Sequence, residues 1–444
     1  MVGISVGKAF TSVSAEKKRV ELLVDLAYTC AKEAIGFIKF GALCEAQKRA
    51  GVMLGETYIN KHSAKEFTMT VGEELQEQLK HDLLRSDFIT VLVDGSTDCS
   101  VTEKELIYVR FVDADGLVCT KLMALKDVQH ADASGLLCVI KEAFMRVGLV
   151  DYDQRLIGFM SDGASVNFGP KSGLLKKLKV DEKMPWLVGI HCLNHRLELA
   201  VKDAFAQTAL TDACVLLSNI HSVFERSPKR WRALTDLAEV MGEEVHKPAR
   251  TNGTRWVQHK LKAANILLKQ YGLIVVALTN VTDDAKIKGY VKQMSSFKTL
   301  ALLHMFVDVL APISKLSEYL QGDSTNLLLA QSAVEAALVT LAKAKDAAYG
   351  EQLGKLVIAA ENALAEGENK MEFQSVPIGD LQVGISALNS SAGEIANRLS
   401  RELTSRFGDV LSESSLLVRA LKVLDIKAWP EKKKKTCTSL AKRT

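Results

Sequence analysis

Two aspartates in this chain stand where carboxylates can do metal chemistry, at the ends of apolar runs that predict strands. Asp94 closes the run in FITVLVDGSTD, with Asp98 four residues on, and Asp162 closes the run in RLIGFMSDGASVNFG. Two acids presented from neighbouring strand ends can bridge divalent cations, which activate an attacking oxygen and stabilise a leaving one in phosphoryl transfer. Hard carboxylate oxygens suit Mg²⁺ or Mn²⁺. The competing explanation is local: Asp-Gly is a common turn pair, and each aspartate could simply shape its turn. Asp98 is the weaker candidate, an outer acid or the cap of the loop running to Glu105. The third acid that such a site needs is not evident further along.

Two other segments carry candidate chemistry. In GIHCLNHRLELAV, Cys192 and His195 are spaced to share a helical face, and with His191 they offer three soft or borderline ligands. A closed structural zinc site wants four, and nothing nearby supplies the fourth. No zinc is therefore expected, and the favoured role is packing and hydrogen bonding at a strand-to-helix junction. In TNGTRWVQHKLKAANILL, Asn252-Gly253 makes a turn, Thr254 caps a helix, and Arg255 and Trp256 lie on its first turn. Arg beside Trp suits contact with phosphate and stacking on a base, or else a structural anchor.

The elements that must position these residues follow from periodicity. Residues 1–14 are expected to be disordered, 15–50 and 71–84 helical. Residues 89–93 form a continuous apolar run, as in a buried strand. Residues 106–112 and 117–125 flank an Asp-Ala-Asp-Gly turn as a hairpin. A helix over 134–147 is expected to be capped by Ser134. A strand over 156–160, a short basic helix over 169–179, a strand over 186–190 and a helix from 192 follow. The order β-β-β-α-β-α-β-α implies an α/β domain with a mixed sheet covered by helices. It is the element order of the ribonuclease H fold, in which the first and fourth strands lie side by side, bringing Asp94 and Asp162 to adjacent carboxyl ends.

Beyond residue 208 the pattern is almost wholly helical up to 424, with loops near 245–252, 323–326 and 366–379. The expected organisation is thus 1–86 as a disordered start and helices, 87–207 as the ribonuclease H-like core, 208–428 as a helical insertion and 429–444 as a basic tail. The 444 residues and 48% hydrophobic content allow a large core, and seven prolines favour long helices. A net charge of +4 permits a basic patch without arguing for nucleic acid by itself. Eight cysteines without a CxxC pair, and no secretion signal, predict reduced thiols inside the cell. No run approaches the apolar length needed to span a bilayer, so no membrane partner is expected.

Asp94 in LVDGSTD, Asp162 in SDGASVNFG, the Cys192-x-x-His195 motif and Thr254-Arg255-Trp256 occur in the order seen in hAT-superfamily transposases. The chain most resembles the vertebrate proteins derived from them, including zinc-finger and DUF4371-type relatives, over about residues 15–430. The resemblance implies a ribonuclease H-like catalytic domain interrupted by a helical insertion. It also implies Asp-Asp-Glu metal chemistry: hydrolysis at element ends, hairpin formation on flanking DNA and strand transfer. Asp94 and Asp162 match the first two acids, Cys192 and His195 the CxxH motif that supports the active site, and Trp256 the tryptophan associated with the flanking DNA hairpin. Two departures stand beside these matches. No BED-type Cys/His cluster precedes Asp94, and the dimerisation region that carries the glutamate is missing. Glu394 in SSAGE is the closest local mimic and lacks the Arg and aromatic that should follow it.

The leading expectation is therefore a transposase-derived protein, nuclear or otherwise cytoplasmic, without catalytic competence on its own. Its retained role would be binding to DNA or to another protein, with oligomerisation weakened. The lysine run 432–435 with Lys442 and Arg443 would aid nuclear import or touch phosphates, or else form a solvated tail. The alternatives are an active Mg²⁺-dependent DNA transposase or nuclease completed by a second chain, and a protein-interaction scaffold.

Overall fold

Alternation along the second strand organises the site. In Glu103–Val112 every second residue, Glu105, Ile107, Val109 and Phe111, is buried, and the residues between them are partly open. The computed structural model describes residues 3–97, 103–128, 130–249, 256–281, 284–322, 327–346 and 350–411. Contacts divide the chain into two units, Met1–His191 and Cys192–Thr444.

The first unit opens with α1 (Gly3–Lys32), α2 (Phe40–Arg49) and α3 (Lys61–Arg85). Helix α1 starts upstream of the expected residue 15. Helix α3 starts before the expected residue 71 because Asn60 caps it, its Oδ1 accepting from the N–H groups of His62 (2.9 Å) and Ser63 (3.0 Å). Then come β1 (Ile89–Thr97), β2 (Glu103–Val112), β3 (Val118–Asp127), α4 (Ala133–Arg146), the single turn α5 (Tyr152–Arg155), β4 (Leu156–Ser161), the single turn α6 (Ser165–Phe168), α7 (Leu174–Val180) and β5 (Val188–His191). The expected β2–β3 turn is present: the Asp113 carboxylate accepts from the N–H groups of Asp115 (3.0 Å) and Leu117 (2.8 Å). The cap of α4 is not Ser134 but Asp132, whose carboxylate takes the N–H groups of Ser134 (2.9 Å) and Gly135 (2.8 Å). A carboxylate two residues earlier reaches both free donors at once.

The sheet order is β3-β2-β1-β4-β5. Strands β1, β2 and β3 pair antiparallel, while β4 runs parallel to both β1 and β5. The result is a five-stranded mixed sheet with helices, as the element order implied. Ile89, Val91, Val93, Ile107, Val109 and Phe159 pack with Leu136, Ile140 and Phe144 of α4 and Leu174 and Leu178 of α7 in one core. Fully burying each such side chain contributes about 1.5–3 kcal/mol.

The second unit runs through α8 (Leu193–Phe205), α9 (Ala209–Glu225), α10 (Pro228–Met241), α11 (Trp256–Lys269), α12 (Tyr271–Thr279), α13 (Ala285–Met294), α14 (Phe297–Leu320), α15 (Leu327–Asp346), α16 (Glu351–Ala365), the hairpin β6 (Lys370–Phe373) and β7 (Val376–Gly379), and α17 (Leu381–Leu411). The hairpin replaces part of the expected loop at 366–379. Its turn residues Gln374 and Ser375 both take positive φ, and Gln374 is anchored by donating from Nε2 to the Leu268 carbonyl (2.8 Å). Helix α14 corrects a second expectation: by length and composition it is apolar enough to cross a membrane. Its most apolar window is 72% buried, and Leu300, Leu303, Phe306, Leu310 and Ile313 lie at the centre of the unit's core. Helices α8 and α17 are joined by an ion pair of Asp203 with Arg406, and Arg196 donates to the Arg406 carbonyl (2.8 Å).

Candidate acidic site at the lip of the sheet

The parallel ladder between β1 and β4 ends at Leu92↔Met160. Two residues beyond that pair come Asp94, still on β1, and Asp162, in the turn just after β4. The shared register therefore carries the two aspartates to neighbouring positions at the carboxyl ends of β1 and β4. Asp94 is exposed and Asp162 half-buried. The Asp162 turn is built locally. Its Oδ1 accepts from the Ala164 N–H (3.2 Å) and from Asn167 Nδ2 (2.8 Å), and Asn167 Nδ2 also reaches Ser161 Oγ (2.7 Å). Gly163 is required by close approach: a Cβ there would lie 2.1 Å from the His191 ring, which also packs on Phe168 with ring centroids 5.8 Å apart. His191 thus bears on the turn that presents Asp162.

A third carboxylate joins the aspartates, where none was expected. Glu105 pairs across the ladder with Gly95, the residue after Asp94. It is only 6% exposed. A Cβ on Gly95 would come within 3.1 Å of Glu105 Oε2, so the missing side chain is what leaves the carboxyl its room. Among the described residues the Glu105 carboxyl makes no hydrogen bond or ion pair, and its neighbour Lys104 pairs with Asp127. Burial first, then the negative charges of Asp94 and Asp162, push the Glu105 carboxyl up to about 7. Glu103, Lys104, Glu105, Asp162 and Asn167 line one cleft of about 220 Å³, together with apolar side chains such as Leu136 and Val166. The Oδ1 of Asn167, a residue only 6% exposed, has no hydrogen-bond partner in it.

Alternation places Gly95 and Glu105 on one face of the sheet and Asp94 at the intervening position. Electrostatics joins Asp94 to Glu105, since its charge is the larger of the two carboxylate influences on that group. Among the described residues no three His, Cys, Asp or Glu side chains stand in ready-made metal-binding geometry. A cation shared by all three acids would have to draw them together over the strand ends. The donor set nonetheless fits a hard divalent ion: a buried carboxylate with no cation paired to it among the described residues, a second carboxylate oriented by an amide, and an unmatched amide oxygen.

The other sequence candidates fall elsewhere. His191 ends β5 in the first unit, Cys192 precedes α8 in the second, and His195 lies in the first turn of α8, half-buried. Asp98 and Arg255 lie outside the described residues, as do the lysine run 432–435, Lys442 and Arg443. Trp256 opens α11, and its side chain is likewise outside the description. The following N–H, of Val257, is held at 3.3 Å by the carboxylate of Glu198 on α8. Glu394 is exposed on α17 and paired with Arg398 at 3.7 Å.

The class these features define is a mixed α/β domain with an acidic strand lip, consistent with an RNase-like fold. Residues 50–169 match the family described as DUF4371: ZMYM1/FAM200, RNase-like domain. The match includes β1 to β4 with Asp94, Glu105 and Asp162, and it supports a transposase-derived family. No solved structure matches the chain.

Proposed function

We propose that this is a hAT transposase-derived protein whose ribonuclease H-like core performs divalent-cation-dependent chemistry on the phosphodiester backbone of DNA. The observation that supports the reading is the parallel β1–β4 ladder, which runs to Leu92↔Met160, two residues short of Asp94 and Asp162. Mg²⁺ or Mn²⁺ held there would polarise a phosphoryl oxygen and lower the pKa of a bound water. Asp162 is oriented for this by Asn167 and the Ala164 amide, and His191 fixes the turn behind it. Helices α9 to α17 serve as the insertion that engages DNA or a protein partner, with Arg255 and Trp256 as the contact to phosphate and base. The protein works in the nucleus.

The expectation of incompetence rested on the lack of a third acid, and the buried Glu105 beside the aspartates is what supports the catalytic reading instead. A second reading remains, a binding protein without catalysis. Incubating the purified chain with supercoiled and linear DNA in Mg²⁺ or Mn²⁺ separates the two. Nicking that EDTA stops and that Asp94→Asn and Asp162→Asn remove supports the enzyme. Salt-sensitive DNA binding without nicking supports the binding protein.

A further inference from the structure

We propose that Glu105 is the third acid of the cation site, holding Mg²⁺ or Mn²⁺ with Asp162 and Asp94, and that Gly95 is glycine to leave it room. The inference rests on the reading of the β1–β4 lip as a divalent-cation site and names the residue that completes it.

Three observations converge. First, β2 places a glutamate in phase with Ile107, Val109 and Phe111, on the face that every other residue of that series uses for the core. A buried carboxylate without a counter-charge is costly, and a strand that keeps one needs a compensating cation or proton. Among the described residues no Lys, Arg or His pairs with it. Second, its cross-strand partner is Gly95, and even a methyl there would press on Oε2 at 3.1 Å. Third, the cleft it lines contains a separate unmet oxygen. Asn167 donates through Nδ2 to Asp162 and Ser161, which fixes its amide orientation, and Oδ1 is left buried without a donor. The cleft presents the acids Glu103, Glu105 and Asp162 and the Asn167 amide, and its one lysine among the described residues, Lys104, is paired with Asp127, so the balance of its lining suits a hard cation better than an anion.

The test uses the full chain and Mn²⁺ alone, titrated by calorimetry and by the loss of the free-ion paramagnetic resonance signal. The unmodified protein is expected to bind Mn²⁺. Glu105→Gln keeps the shape of the side chain and removes its charge, so the fold persists, as circular dichroism will verify. That variant is expected to bind Mn²⁺ about tenfold or more weakly, since ligand charge sets affinity in such sites. Gly95→Ala is expected to weaken binding by a smaller factor, through displacement of the same carboxyl. If Glu105→Gln binds as the unmodified chain does while Asp162→Asn loses binding, Glu105 is not a ligand and the two-aspartate reading stands. If the unmodified chain takes up no Mn²⁺, the inference and the reading beneath it both fall.

Discussion

One perturbed ionisable group from each unit shows two opposite outcomes of burial. In the first, Glu105 is buried at the end of a strand, beside two more acids and open to a cleft. In the second, His304 is half-buried mid-helix in α14, its two ring nitrogens shut off from solvent without a hydrogen bond and its ring in a T-shaped contact with Phe373, centroids 5.7 Å apart. Burial holds the His304 imidazole down to about 4, so it is neutral and behaves as an aromatic filler. Both groups bear a cost of desolvation. Only Glu105 has a space in which a ligand can offset it. A perturbed group at a cleft is thus a candidate for function, and one sealed in a core is packing.

Substitutions can break or sharpen that contrast. The largest effect is expected at the aspartates: Asp162→Asn or Asp94→Asn should lower Mg²⁺-dependent nicking about 100-fold or more, with little change in melting temperature. Equal rates would remove the lip from the chemistry. Next, Gly163→Ala forces a methyl into the His191 ring and should destabilise the first unit by about 2–3 kcal/mol in a denaturant melt. A neutral result would show that the His191 ring moves aside freely.

The pH dependences of the two buried groups have opposite signs. The raised Glu105 carboxyl contributes most to stability below its unfolded value of 4.5, and that contribution is lost as pH rises through about 7. In EDTA at pH 8, Glu105→Gln should therefore be more stable than the unmodified chain by about 1–3 kcal/mol, and the gain should vanish near pH 4.5. The depressed His304 contributes fully above its unfolded 6.5 and loses that contribution as pH falls toward about 4. Between pH 7 and pH 5, urea melts should show the unmodified chain losing about 1–2 kcal/mol more than His304→Leu does. Parallel slopes for variant and parent would mean that His304 is protonated in the fold.

Much of this was legible in the sequence. Apolar runs before Asp94 and Asp162, the Asp113–Gly116 turn and the alternation of helices and strands fix the sheet's membership, and parallel pairing of the first and fourth strands follows from their connections. The third acid proposed here lies upstream, on the second strand, whereas the sequence reading looks for one downstream, where Glu394 is a surface partner of Arg398. The signal was nonetheless present in EKELIYVRFV, where a glutamate occupies the same alternate positions as Ile107, Val109 and Phe111. Other features depend on contacts distant in sequence and so escape periodicity. Gly163 looks like an ordinary turn glycine until His191 is placed on it. The β6–β7 hairpin has short strands of mixed polarity, whose pairing is supported by Gln374 bonding to the Leu268 carbonyl and to the Gly272 N–H (3.0 Å).

The most direct measurement is the anomalous X-ray signal of a crystal of the full chain soaked in Mn²⁺. A peak in the cleft within ligating distance of Glu105 and Asp162, absent from crystals of Glu105→Gln, is the predicted result. Full Mn²⁺ occupancy elsewhere, with that cleft empty, would contradict the account.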